Sequence, residues 1–165
     1  MLKGTMQENE PNKMKNEFEI KTLKKRAVVS MTDSSSLSGC FFVAPESSFH
    51  EGPETIYELL TGDRNYLPFD WDGEGVVLLQ KGSIATVRLE EKEINKYIPF
   101  HKKLRTRISF LSGETLEGNV FSDLPKAYLR LSDYLNLNDK FFYIQVGDDD
   151  YLVNSLCVKF LRHVQ

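Results

Sequence analysis

A sequence signal recurs along this chain of 165 residues and limits its fold more than any other feature. Arg26-Ala27-Val28-Val29-Ser30-Met31 leads into Leu37-Ser38-Gly39-Cys40-Phe41-Phe42. Later, Arg105-Thr106-Arg107-Ile108-Ser109-Phe110 leads into Leu116-Glu117-Gly118-Asn119-Val120-Phe121. Gly118 lies 79 positions after Gly39, and Arg, Ser, Leu, Gly and Phe recur at matched places around it. A period of that length implies two copies of one small supersecondary unit. A unit of roughly 65 residues is near the lower limit for folding alone, so the copies are expected to lean on each other.

Each copy reads as short strands separated by turns. Val29 and Met31 alternate with Val28 and Ser30, Asp33 to Ser36 supplies a turn, and Leu37 to Ala44 returns. The second copy repeats this with Arg105–Leu111, the turn Ser112-Gly113-Glu114, and Leu116–Ser122. Gly39 and Gly118 sit early in the return strands, where a recurring glycine signals a bend or a close backbone approach. A short helix should follow in each. One begins at Pro53 and runs through Ile56, Leu59 and Leu60 to Gly62; the other spans Leu131–Asn136. The first copy carries four extra residues in its Pro45–His50 loop. Third strands are expected at 65–69 and 140–145, followed by acidic turns at 70–75 and 147–150. The last strand pairs are 76–80 with 84–89, and 151–153 with 157–161. The resulting expectation is mainly β: two tandem five-stranded small barrels, each with a helix between its second and third strands. The divisions are a flexible tail at 1–22, a first unit at 23–89, a packed linker at 90–103 and a second unit at 104–165. In the linker Glu90-Glu91-Lys92-Glu93 reads as solvated, and Ile94, Tyr97, Ile98 and Phe100 as packing residues.

Charge narrows the function. The chain is 41% hydrophobic and 27% charged, with a net charge of −3, as for a soluble globular protein. Each unit has slightly more acid than base, which lacks the basic signature of a nucleic-acid binder. Lys24-Lys25-Arg26 and His101-Lys102-Lys103 are the local basic exceptions. No apolar run nears the ~18 residues of a membrane span, and the N-terminus has no basic-then-apolar leader pattern. Cytoplasmic location is the expectation. Cys40 and Cys157 are not equivalent points of the repeat and read as reduced cysteines.

Reactive chemistry is thin. Asp70, Asp72 and Glu74 alternate as calcium ligands can, but the distal bidentate glutamate of a calcium loop is missing. Asp148-Asp149-Asp150 is a run without a framework, and three scattered histidines offer no metal spacing. Gly73-Glu74-Gly75 leads into no helix, so it is not a phosphate loop. His50 beside Ser47 and Ser48 is the one hint of a hydrolase, and a polar loop explains it as well. No cofactor constellation is present. Trp71, with Tyr57 and Tyr134, is a candidate contact for a protein partner.

Two resemblances arise from these segments. The hairpin, Leu131-Ser132-Asp133-Tyr134-Leu135-Asn136, Phe141-Phe142 and Tyr151-Leu152-Val153-Asn154 together resemble an uncharacterised family of small bacterial domains. That family is similar to Sm-like or SH3-like barrels and has no assigned activity. The match covers nearly all of the second copy; the first has Tyr57-Glu58-Leu59-Leu60-Thr61 in place of the Leu131–Asn136 motif's Ser132-to-Asn136 run. Ser112-Gly113-Glu114-Thr115-Leu116-Glu117-Gly118, with Leu78-Leu79-Gln80-Lys81-Gly82-Ser83-Ile84, is similar to the two motifs of Sm-like RNA-binding barrels. That resemblance implies a nucleic-acid contact through Lys81 and Gly82, with Lys102 and Lys103 of the linker. The leading expectation is a non-catalytic bacterial adaptor or regulatory module that binds a protein. An Sm-like RNA binder ranks second and a His50 hydrolase third. Strand edges leave a homodimer open.

Overall fold

Apolar and polar residues alternate along the segments flanking each turn, and the chain answers with strands whose inner faces share a core. The computed structural model describes residues 21–93, 102–122, 131–137 and 140–165. The first half comprises β1 (Leu23–Met31), β2 (Ser36–Val43), helix α1 (Ile56–Thr61), β3 (Tyr66–Trp71), β4 (Gly75–Gln80) and β5 (Ile84–Leu89). The second comprises β6 (Lys102–Phe110), β7 (Thr115–Ser122), α2 (Leu131–Leu137), β8 (Phe141–Val146), β9 (Asp149–Asn154) and β10 (Val158–His163). One 3₁₀ turn, Lys81–Ser83 or Ser155–Cys157, joins the last two strands of each half.

The fold is mainly β. Among the described residues ten strands run antiparallel in one open sheet, in the order β10-β6-β7-β8-β9-β5-β1-β2-β3-β4. Within each half the order is the same: fifth, first, second, third, fourth. The halves meet where β9 pairs with β5, Leu152 opposite Val87 and Asp150 opposite Leu89. Both glycines of the return strands face a close approach. A Cβ on Gly39 would stand 2.1 Å from the Asp70 carbonyl oxygen, and one on Gly118 would stand 2.3 Å from that of Gln145. Only glycine lets the second and third strands come so near.

Two clusters of buried side chains lie in the sheet. Phe41, Leu60, Leu67 and Phe69 centre the first, where the Phe41 and Phe69 rings meet edge to face at 5.0 Å. Ile108, Val120, Phe142 and Ile144 centre the second. Phe141 and Leu152 belong to the second half by sequence, yet they pack into the first cluster. The halves therefore share apolar burial as well as a ladder.

Several local expectations shift. Helix α1 starts at Ile56 because Thr55 caps it, its Oγ1 accepting from Glu58 N–H; Pro53 precedes the helix. Gly62 follows it with an extended φ of −73°, so no left-handed terminator is needed. Asp149 and Asp150 are not turn residues but open β9, and Asp150 is buried with Lys92 Nζ 3.7 Å away. The tail before residue 21 and the linker residues Ile94, Tyr97, Ile98 and Phe100 lie outside the described residues. Cys40 is half-buried, Cys157 is buried, and both are free thiols. Among the described residues no helix is long and apolar enough to cross a membrane.

Candidate functional site

Two places stand out: a cleft beside α1 and the sheet edge at β4. The cleft, about 760 Å³, is lined by Phe49, His50, Tyr57, Glu58, Glu93 and Tyr143 among others. Glu58 is its hub. It accepts from Ser47 Oγ at 2.7 Å and from Thr55 Oγ1 at 3.2 Å, and it holds His50 Nε2. Burial pushes the Glu58 carboxyl up, but the bonds from Ser47 and His50 outweigh it and hold the group below the usual range. The Glu51 carbonyl oxygen, 2.8 Å from Nδ1, and then Glu58 raise the His50 imidazole above its ordinary value. Both ring nitrogens face acceptors, which favours the doubly protonated ring.

That order of groups bears on the hydrolase reading. A nucleophile needs a base beside it and an orienting group behind the base. Here the carboxylate stands between Ser47 and His50, and both ring nitrogens face oxygen acceptors. The cleft's other carboxylate, Glu93, is also engaged. The sequence placed it in a solvated stretch, whereas its side chain is buried. It accepts from the backbone N–H groups of Ile56 and Tyr57 and from the Tyr143 hydroxyl at 3.1 Å, with Lys25 Nζ at 3.6 Å. Burial, then Glu93, drives the Tyr143 hydroxyl far above the ordinary phenol range. Tyr57 stacks on Tyr143 with ring centroids 5.1 Å apart. This knot ties the first half's helix to β8 of the second.

The β4 edge is different in kind. Among the described residues β4 pairs with β3 alone and closes one end of the sheet. Lys81 N–H donates to the Asn65 carbonyl, one step beyond the Tyr66–Gln80 pair. Antiparallel pairs alternate between bonded and non-bonded. Leu67–Leu79 and Phe69–Val77 therefore exchange bonds, and the backbone groups of Val76, Leu78 and Gln80 point away from β3 into the open. Pro68, which has no N–H, falls opposite Leu78 at a non-bonded position and removes nothing from the ladder. Beside exposed Gln80 on the outward face, Tyr66 is 59% exposed, Val76 62% and Leu78 67%.

Matching strand positions in the second half have the opposite fate. Phe141, Asp150 and Leu152 correspond to Tyr66, Val76 and Leu78, and they are 1%, 3% and 0% exposed. Asn154, the counterpart of Gln80, is buried and donates from Nδ2 to the Ile84 carbonyl at 2.8 Å. The first half covers this surface.

No family model, no curated protein and no solved structure matches this chain.

The structure places the sequence-derived candidates as follows. Trp71 ends β3, half-buried against the first core; Tyr57 and Tyr134 are half-buried on α1 and α2, the latter against the second core. The structure does not bring these three together. Lys81 is buried, and its ammonium donates to the Gly62 carbonyl at 2.5 Å. Burial lowers its pKa. Gly82 sits in the 3₁₀ turn beside it, and Lys103 on β6 holds its ammonium 5.8 Å from the Phe121 ring centroid. Lys102 is also on β6, with its side chain outside the described set. Asp70 and Asp72, read as turn acids, pair with Lys24 at 2.8 Å and with Arg26 at 2.7 Å. Among the described residues no three His, Cys, Asp or Glu side chains converge as metal ligands. Sequence reasoning missed Tyr66, Val76 and Leu78; the consecutive apolar run Val76–Leu79, too continuous for a strand with one wet face, was the available signal.

Proposed function

We propose that this protein is a non-catalytic adaptor that binds protein by strand addition to β4. In this reading residues 23–89 and 104–165 are two copies of one Sm/SH3-like small barrel. The shared strand order, the shared helix position and the two crowded glycines support the duplication. The observation that carries the function is the β4 edge itself, whose outward backbone groups have no strand partner among the described residues, with exposed Tyr66, Val76 and Leu78 beside it. Natural sheets blunt free edges with charge, bulges or cover, because an open edge recruits another strand. This one keeps Val76 and Leu78 in the open, which suits an extended segment bound through its main chain. The RNA-binding reading ranks below it, since Lys81 is committed to the Gly62 carbonyl.

Leu78→Pro tests the proposal. It removes an edge N–H that the β3 ladder does not use, so the fold should persist with an unchanged circular dichroism spectrum. Proteins retained by the immobilised wild-type chain should be lost by this variant. Identical retention by both would sink the proposal.

A further inference from the structure

We infer that the outer face of β10, β6 and β7 docks an acidic polypeptide segment that carries carboxylates at alternate positions. This surface lies apart from the β4 edge and does not depend on strand addition there.

Strand alternation defines the face. Leu104, Thr106 and Ile108 of β6 are buried, so Lys103, Arg105 and Arg107 project from the opposite side, where they are exposed. Arg162 of β10 stands opposite Arg107 and shares that side. Glu117 of β7 also stands opposite Arg107. Its carboxylate accepts from Arg105 Nε at 3.1 Å and from Arg107 Nε at 2.9 Å. Lys103 and Arg162 lie instead against aromatic rings, those of Phe121 and Phe160. Among the described residues no other acid pairs with these four cations, Asp148 and Asp149 included. Four positive groups thus share one carboxylate.

The first half shows how the same face is neutralised. Arg26 stands opposite Cys40 as Arg105 stands opposite Asn119, and Arg88 stands opposite Val28 as Arg162 stands opposite Arg107. Lys24 matches Lys103 in the same register. Each of these three cations has its own acid: Lys24 has Asp70 at 2.8 Å, Arg26 has Asp72 at 2.7 Å, and Arg88 has Glu90 at 3.7 Å. In the second half all three acids are replaced. Cys40 pairs with Asp70, whereas Asn119 pairs with Gln145, and Gly147 follows two positions later where Asp72 would fall. Glu90 N–H donates to the Arg26 carbonyl; at the matching Arg105 carbonyl the donor is Val164. The place of Val28, meanwhile, is taken by Arg107.

Asp70 and Asp72 lie two residues apart where β3 runs out into its turn. The molecule therefore contains a template for what seats on this face: an extended chain with an acid at every second position. Arginine forks take carboxylates in planar pairs, which suits the three arginines to such a guest. The template favours an acidic polypeptide over a phosphate-bearing one. One exposed ion pair adds little, but several on one face add affinity and orientation together.

The test is fluorescence anisotropy of the full chain with a labelled peptide of alternating glutamate and serine, beside a glutamine–serine control. The glutamate peptide should bind at low salt and be released as salt is raised, and the control should stay free. Arg107→Val, which installs the first half's residue, combined with Arg162→Gln should weaken binding about tenfold. Gln145→Asp, which restores the acid of β3, should weaken it about threefold by occupying Lys103 from within. Lys24→Gln and Leu78→Pro should bind as the wild type does. No binding of the glutamate peptide at low salt overturns the inference, and so does binding that survives both the arginine variant and Gln145→Asp. Loss in Leu78→Pro overturns it in favour of the β4 edge. An RNA oligonucleotide or a phosphatidylserine vesicle held more tightly than the peptide at equal salt overturns it in favour of a phosphate-bearing partner. Circular dichroism checks that each variant is folded; if the arginine variant is not, Gln145→Asp decides alone.

Discussion

The β3–β4 and β8–β9 hairpins occupy the same place in the strand order of their halves, yet one is wet and the other dry. Leu78 and Leu152 both stand on the outer side of a fourth strand; the first is two-thirds exposed and the second not at all. Their local sequences, Val76-Val77-Leu78-Leu79 and Tyr151-Leu152-Val153, are similarly apolar. What separates them is a neighbour. Beside β9 lie β5 and the α1 knot around Glu93; among the described residues the sheet ends beside β4. Exposure at such a position reports what is present next to it rather than the character of the strand. The apolar row on the uncovered hairpin is the surface that the proposed strand addition would use.

The sharpest way to break this comparison is to truncate both leucines. Leu152→Ala should destabilise the chain by about 2–5 kcal/mol, as fully buried leucines do. Leu78→Ala should change the stability of the isolated molecule by no more than about 0.5 kcal/mol. Urea melts at a concentration where the protein is monomeric measure both. Equal losses would show that the two positions are not covered differently in solution.

A second comparison concerns the crowded glycines. Gly39→Ala and Gly118→Ala each drive a methyl group into a carbonyl oxygen of the third strand. Each should lose about 1–3 kcal/mol, as overpacked positions do. Similar thermal-melt shifts would sharpen the case for a duplicated unit; a neutral effect at one site would break it.

The smallest expected effect concerns a feature of the first half, the loop held by His50 and Glu58. The raised His50 pKa means that its share of loop anchoring is full below the ordinary histidine range and is lost as pH rises through the raised value. Glu58, held low, contributes above the ordinary carboxylate range and loses its share as pH falls through its lowered value. Anchoring is strongest between those limits. An NMR titration should place the His50 midpoint above about 6.5, and Glu58→Gln should move it back down. An unmoved midpoint would refute the pairing.

Much of the β architecture was legible locally. Both hairpins, both helix sites and the crowded glycines follow from alternation, turn residues and helical spacing, each of which acts over a few positions. Ser34 takes a left-handed φ of 69° and Gly113 one of 92°, each within a turn that the sequence marked between the first two strands of its half. Functional surfaces were less legible. Lys81 reads as the basic residue of an Sm-like motif, and only the packing of the 3₁₀ turn against the end of α1 reveals that its ammonium is bonded to the Gly62 carbonyl. Glu93 reads as one of several linker acids, and Asp150 as a turn acid, until their partners in distant segments are known.

Alternation and turn chemistry, then, decide by themselves that this chain forms short antiparallel strands with a helix between the second and third of each set. They act on neighbouring residues, and neighbours are what a sequence displays. Which fourth strand is covered and which stays open depends on the β5–β9 join, made between residues more than sixty positions apart. Such pairing selects one edge among several similar ones by register, shared burial and the Asn154 bond to Ile84. Only the assembled sheet brings those contributions together.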